Sequence, residues 1–186
     1  MIDTMVLSFG ITNPKDSGLD EELREKVRSS IFLIKNSGDN IAISSITWLE
    51  LLRCLDKKQE KKCKSLLGNK IRIEGVDGRV AEKAVNLISE IQKSPDFCNK
   101  CLIPKKRENC KHCGLPTAGL SRINDLIIIA TAEVNSDIKE LYTYDEPMIK
   151  LQQYIKNCKI SKPPSCDGPL FEDERRLDKK VISIKR

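Results

Sequence analysis

The first seven residues, Met1-Ile2-Asp3-Thr4-Met5-Val6-Leu7, set one acid inside an apolar run. A short run of this kind, with β-branched members, reads as a buried strand of a parallel sheet. A carboxylate there is costly to bury unless something pairs with it. The carboxyl ends of strands also line the ligand crevice of open α/β sheets. Asp3 therefore asks for a partner, and a metal ion is one candidate. The plain alternative is a lone acid at a frayed terminus facing water.

The stretches that follow alternate between helix and strand patterns. Asn13 to Gly18 reads as a loop. Leu19, Leu23, Val27, Ile31 and Ile34 recur at three- and four-residue steps, the pattern of an amphipathic helix. Asn36-Ser37-Gly38 stops it. Asn40 to Ser44 is a short strand. A helix is predicted from about Thr47, with Leu49, Leu52 and Leu55 on one side. Lys57 to Leu67 forms a lysine-rich helix with a solvated face. Lys70 to Glu74 is extended, and Asp77 caps a helix striped by Ala81, Ala84, Val85, Ile88 and Ile91. Ser94-Pro95 ends that helix. Ile123 to Ala132 is apolar nearly all round, and its length and small residues favour a buried helix over a strand. Glu140 to Thr143 is a strand, and a last short helix turns Met148, Leu151 and Ile155 inward. This alternation over about 155 residues implies a three-layer α/β domain with a central, mainly parallel sheet. Residues 1–160 form that domain, with an insertion over 95–120. Residues 161–186 read as a tail, in which Val181 to Ile184 is a possible edge strand.

Three more acids stand where Asp3 stands, beside apolar segments at the ends of elements. Glu50 falls in the first turn of the helix after the second strand. Asp125 opens the buried helix, and Asp145 follows the last strand. Carboxylates brought together repel one another, so such a cluster needs cations or shared protons. Oxygen-only ligands suit Mg²⁺ or Mn²⁺. One or two such ions activate water and stabilise the leaving oxygen of a phosphodiester. Each acid also has a plain reading. Glu50 lies three residues after Thr47, which matches a capping box. Asp125 suits the positive end of its helix, and Asp145 suits a turn.

Taken together, these stretches resemble the PIN-domain nucleases, a family that includes the toxin halves of many toxin–antitoxin pairs. The matching residues are Ile2-Asp3-Thr4, then Ile43 to Thr47 leading to Glu50-Leu51-Leu52. Asn124 to Ala132 and Leu141-Tyr142-Thr143-Tyr144-Asp145 follow in the family's order. The resemblance spans residues 1 to 155 apart from the cysteine segment. It implies a compact parallel α/β fold and divalent-metal-dependent cleavage of RNA. Asp3, Asp125 and Asp145 would hold Mg²⁺ or Mn²⁺, Glu50 would help position metal or water, and Thr4 would orient Asp3. Met5 departs from the family's usual asparagine, and a thioether cannot reproduce an amide's hydrogen bonds.

The remaining signal is the cysteines. Cys98-x-x-Cys101 and Cys110-x-x-Cys113 are two knuckles that can place four thiolates tetrahedrally, as structural Zn²⁺ prefers, with disulfides, free thiols or an iron–sulfur cluster as the alternatives. His112 is surplus to such a site. Cys54, Cys63, Cys158 and Cys166 read as ordinary thiols. The zinc loop is not part of the usual family pattern. It precedes Asp125, so it is expected near the mouth of the site. Lys105, Lys106, Arg107 and Lys111 make it basic, fit either to grip RNA phosphates or to brace the loop.

The composition permits this reading. A net charge of +6 tolerates a polyanionic partner, while 4% aromatics argue against a base-stacking surface. No stretch has transmembrane length and no secretory signal is visible, so a soluble cytoplasmic protein without a membrane role is expected. Three functions fit. The leading one is an Mg²⁺- or Mn²⁺-dependent endoribonuclease, toxin-like or RNA-processing, with structural Zn²⁺. Its expected partners are RNA, an antitoxin or other protein, and a second copy of the chain. The next is a catalytically silent, zinc-containing RNA- or protein-binding adaptor on the same fold. A DNA-directed nuclease of related fold trails both.

Overall fold

The computed structural model describes residues 1–12, 18–37, 41–67, 70–93 and 123–165. The four-cysteine segment, its basic residues Lys105, Lys106, Arg107 and Lys111, and the Val181 to Ile184 run lie outside these residues. The elements run α1 (Thr4–Ile11), α2 (Glu21–Asn36), β1 (Ile41–Ser44), α3 (Ser45–Cys54), α4 (Lys57–Leu67), β2 (Ile71–Glu74) and α5 (Gly78–Lys93). They continue with α6 (Ile123–Val134), β3 (Glu140–Tyr142), α7 (Glu146–Lys150), a 3₁₀ turn (Leu151–Tyr154) and β4 (Lys159–Ser161).

Acids start several of these helices. Asp20 accepts from the Leu23 N–H at 2.8 Å, with Glu21 and Glu22 in the first turn and Lys35 in the last. That arrangement caps α2 and complements its dipole. Asp77 caps α5 in the same way, accepting from Val80 N–H at 3.0 Å. Asp3 caps α1, accepting from Val6 N–H at 2.8 Å. The cap corrects the expected strand over residues 1–7. Only Ile2 bridges like a strand, parallel to Tyr142, and the helix begins at Thr4. Val6 and Leu7 are buried from α1.

The sheet is small and parallel. β1 pairs with β2 in the register Ile41 to Ile71, and β3 pairs with β4 in the register Glu140 to Lys159. Residues 1–3 knit the two pairs into one layer. Ile2 N–H donates to Ala42 C=O at 3.0 Å, Asp3 N–H to Tyr142 C=O at 3.1 Å, and Tyr142 N–H to Met1 C=O at 2.9 Å. Asp3 thus leaves the middle of the sheet, where the chain turns into α1.

Two apolar cores flank this layer, as a three-layer α/β architecture requires. Strand side chains alternate between faces. Ile41 and Ile43 pack with Val6, Leu7, Ile34, Leu51 and Leu67 from α1 to α4. Ala42 packs on the other face with Ala84, Leu87, Ile91, Leu126 and Ile129 from α5 and α6. All four β1 residues are buried. At Gly10 an added Cβ would sit 2.2 Å from Ile34 Cδ1, so glycine lets α1 approach α2 closely.

Several expected faces are corrected. Leu49 is 55% exposed, and the buried residues of α3 are Thr47 and Leu51, so a face other than the expected one meets the core. Val85 is 60% exposed, while Val80, Ala84, Leu87 and Ile91 form the buried stripe of α5. α6 is the expected buried helix, with every residue from Ile128 to Glu133 buried. β4 was not expected. It is three residues long with a charged first member, and its pairing partner lies nearly twenty residues upstream. Among the described residues no helix is long and apolar enough to cross a membrane.

Candidate active site

All four acids line one pocket of about 530 Å³. Four different segments deliver them. Asp3 is the N-cap of α1, at the middle of the sheet. Asp145 is the N-cap of α7 just after β3, and its side chain accepts from Met148 N–H. Asp125 lies in the first turn of α6. Glu50 projects from the second turn of α3, not the first, since that helix starts earlier than expected.

Asp3 is only 3% exposed, so the frayed-terminus alternative fails. Its oxygens are accounted for inside the protein. One accepts from Val6 N–H, and the other accepts from the Thr143 hydroxyl at 2.5 Å. Burial pushes its carboxyl up to about 7. The two hydrogen bonds oppose that shift, and the carboxylates of Asp145 and Asp125 add to it. Burial and neighbouring charge of the same sign both favour the protonated form of such a group. Thr143 Oγ1 also accepts from Asp145 N–H at 2.9 Å, so one hydroxyl ties the first acid to the backbone of the fourth.

Glu50 is held from both sides. Thr4 Oγ1 donates to Glu50 Oε2 at 2.5 Å, and Asn124 Nδ2 donates to Oε1 at 2.7 Å. The expected partnership of Thr4 with Asp3 is therefore corrected: its hydroxyl serves Glu50. The capping-box reading of Glu50 is also excluded, because Ser44 caps α3 and Thr47 Oγ1 finds no hydrogen-bond partner. Asn124 and Thr143 are the site residues that sequence reasoning passed over. Both lie in the quoted motifs, Asn124 next to Asp125 and Thr143 two residues before Asp145, and that proximity was the available signal.

The four acids fit a hard divalent cation in their chemistry: carboxylate oxygens around a buried carboxyl burdened by two neighbours. The side chains are not drawn to one point. Among the described residues no three acidic, cysteine or histidine groups converge closely enough to hold an ion together. Mg²⁺ keeps several waters and takes one or two carboxylates directly, so a wider ring of acids suits it. Met5 also lines the pocket, 40% exposed, and adds an apolar rim. Of the other thiols, Cys63 and Cys158 are buried and free, and Cys54 is free and exposed at the pocket.

No family model matches the chain, and no curated protein matches it. Among solved structures, it is similar to a chain in the crystal structure of VapBC2 from Rickettsia felis bound to a DNA fragment from their promoter. The TM-score is 0.51 with 21% identity, covering 87% of this chain and 96% of that one. That likeness shows a shared fold over most of both chains.

Proposed function

We propose that this protein is a PIN-type, Mg²⁺- or Mn²⁺-dependent endoribonuclease. The observation that carries the reading is the meeting of Asp3, Glu50, Asp125 and Asp145, four acids distant in sequence, on one pocket. The motif resemblance over residues 1 to 155 and the fold shared with the VapBC2 chain support it. Asp3, Asp125 and Asp145 would hold the cation. When bound, it supplies charge neutralisation at the phosphodiester and activation of a water. Thr143 fixes Asp3, while Thr4 and Asn124 fix Glu50, so both carboxylates are oriented before substrate arrives. Held in that way, Glu50 is placed to orient the attacking water or the cation's hydration shell. Zn²⁺ on Cys98, Cys101, Cys110 and Cys113 would order the inserted loop. If the protein is a toxin, its antitoxin blocks the pocket, most simply with an arginine against the carboxylates. Pairing of two copies belongs to the same reading.

A second reading is a silent adaptor. It is favoured by Met5 at the pocket rim and by the spread of the four acids. Incubating a mixed RNA pool with the full chain in Mg²⁺, Mn²⁺ or EDTA separates the two. Metal-dependent cleavage that disappears in Asp125→Asn is expected. A folded protein that neither cleaves nor binds Mn²⁺ would establish the adaptor instead.

A further inference from the structure

The proposed pocket has a charge problem that one residue addresses. An RNA strand is a polyanion, and four carboxylates face it. Arg53 is the one cationic side chain lining the pocket among the described residues. It is exposed, in the last turn of α3, three residues after Glu50. Residues three apart on a helix are neighbours, and Glu–Arg pairs at that spacing form readily. Yet Arg53 makes no ion pair with any described residue. The two oxygens of Glu50 accept instead from Thr4 and Asn124.

We infer that Arg53 is the substrate-phosphate-binding residue of this pocket, gripping an RNA phosphate and holding the strand against the carboxylate wall. This rests on the nuclease reading above. A guanidinium is suited to the task, because its fork of donors matches two phosphate oxygens and it stays charged at every working pH. Lysine in its place would keep the charge and lose the fork. Arg53 touches substrate only; cation binding stays with the acids.

The test measures binding and cleavage separately on the full chain. A labelled single-stranded RNA oligonucleotide is titrated with wild type, Arg53→Ala and Arg53→Lys, without added Mg²⁺ or Mn²⁺, at several salt concentrations. Arg53→Ala is expected to bind about tenfold more weakly, with Arg53→Lys between the two. The slope of log affinity against log salt should fall by about 0.7, the share of one phosphate contact on a single strand. In Mn²⁺, Arg53→Ala should raise KM about tenfold with little change in kcat, and Mn²⁺ affinity by calorimetry should not weaken. RNA affinity and salt slope equal to wild type would overturn the inference. So would a parallel loss of Mn²⁺ binding, which would make Arg53 a support of the acids. A wild type that binds RNA through Arg53 without cleaving it would overturn the nuclease reading alone.

Discussion

Two buried acids in this protein are equally hidden and oppositely placed. Asp3 and Glu133 are each 3% exposed. Glu133, near the end of α6, accepts from the N–H groups of Lys156 at 3.1 Å and Asn157 at 2.9 Å, and Lys83 Nζ stands 3.6 Å away. Its charge is answered by donors and a cation from the protein itself, and it pins the turn before β4. Asp3 has two donors as well, but the charges facing it are Asp145 and Asp125. The same burial is met by a cation in one case and by carboxylates in the other, and the proposed function assigns the second to an outside cation.

The largest effect expected from this contrast is on activity. Asp3→Asn or Asp125→Asn should lower RNA cleavage by about 10³-fold or more, the scale for loss of a group central to charge stabilisation. Glu133→Gln should leave kcat near wild type in the protein that remains folded. Gel-based cleavage rates would show the split, and an equal loss in both variants would break the comparison.

Next comes stability. Glu133→Ala leaves two backbone donors and Lys83 without their acceptor, so it should cost about 3 kcal/mol in denaturant unfolding. Asp3→Asn should act in the opposite direction when no divalent cation is present. The folded carboxyl is pushed from its ordinary 3.8 up to about 7, so folding favours its protonated form. That contribution is complete below pH 4 and is lost as pH rises from 4 through 7. In EDTA, wild type should therefore weaken over that window relative to Asp3→Asn, by roughly 4 kcal/mol at pH 8. Parallel stability curves for the two proteins would show that Asp3 carries no such burden.

The smallest effects test the supports. Thr143→Val removes the hydroxyl that Asp3 and Asp145 share and should cost about 1 kcal/mol. Gly10→Ala probes packing alone. Its new methyl would meet Ile34, for a cost of about 1–2 kcal/mol and no loss of specific activity.

How legible this was in the chain follows from the physics of each feature. The acids stood out because a carboxylate beside an apolar run is costly whatever the fold. Asp3, Asp125 and Asp145 converge from element ends, while Glu50 joins them from the second turn of α3. The first element was misread because Ile2, Val6 and Leu7 suit a strand or a helix equally. The deciding feature was Asp3 as an N-cap, which a metal-ligand reading hides. Leu49 and Val85 were assigned inward because a stripe of leucines or valines does not show which of two apolar faces meets the sheet. Asn124 and Thr143 were missed because an amide and a hydroxyl matter here only through their partners, Glu50 and Asp3, far away in sequence. β4 was missed because three residues with one buried member carry almost no pattern.

The central claim is that Asp3 and its neighbouring carboxylates await a divalent cation. Titrating Mn²⁺ into the full chain at pH 7, by calorimetry in two buffers of different ionisation enthalpy, tests it directly. Wild type should bind and release a fraction of a proton, because binding requires the Asp3 carboxyl, at about 7, to ionise. Asp3→Asn should bind more weakly and release none. Mn²⁺ binding of equal strength and equal proton release in both proteins, or none in folded wild type, would contradict the account.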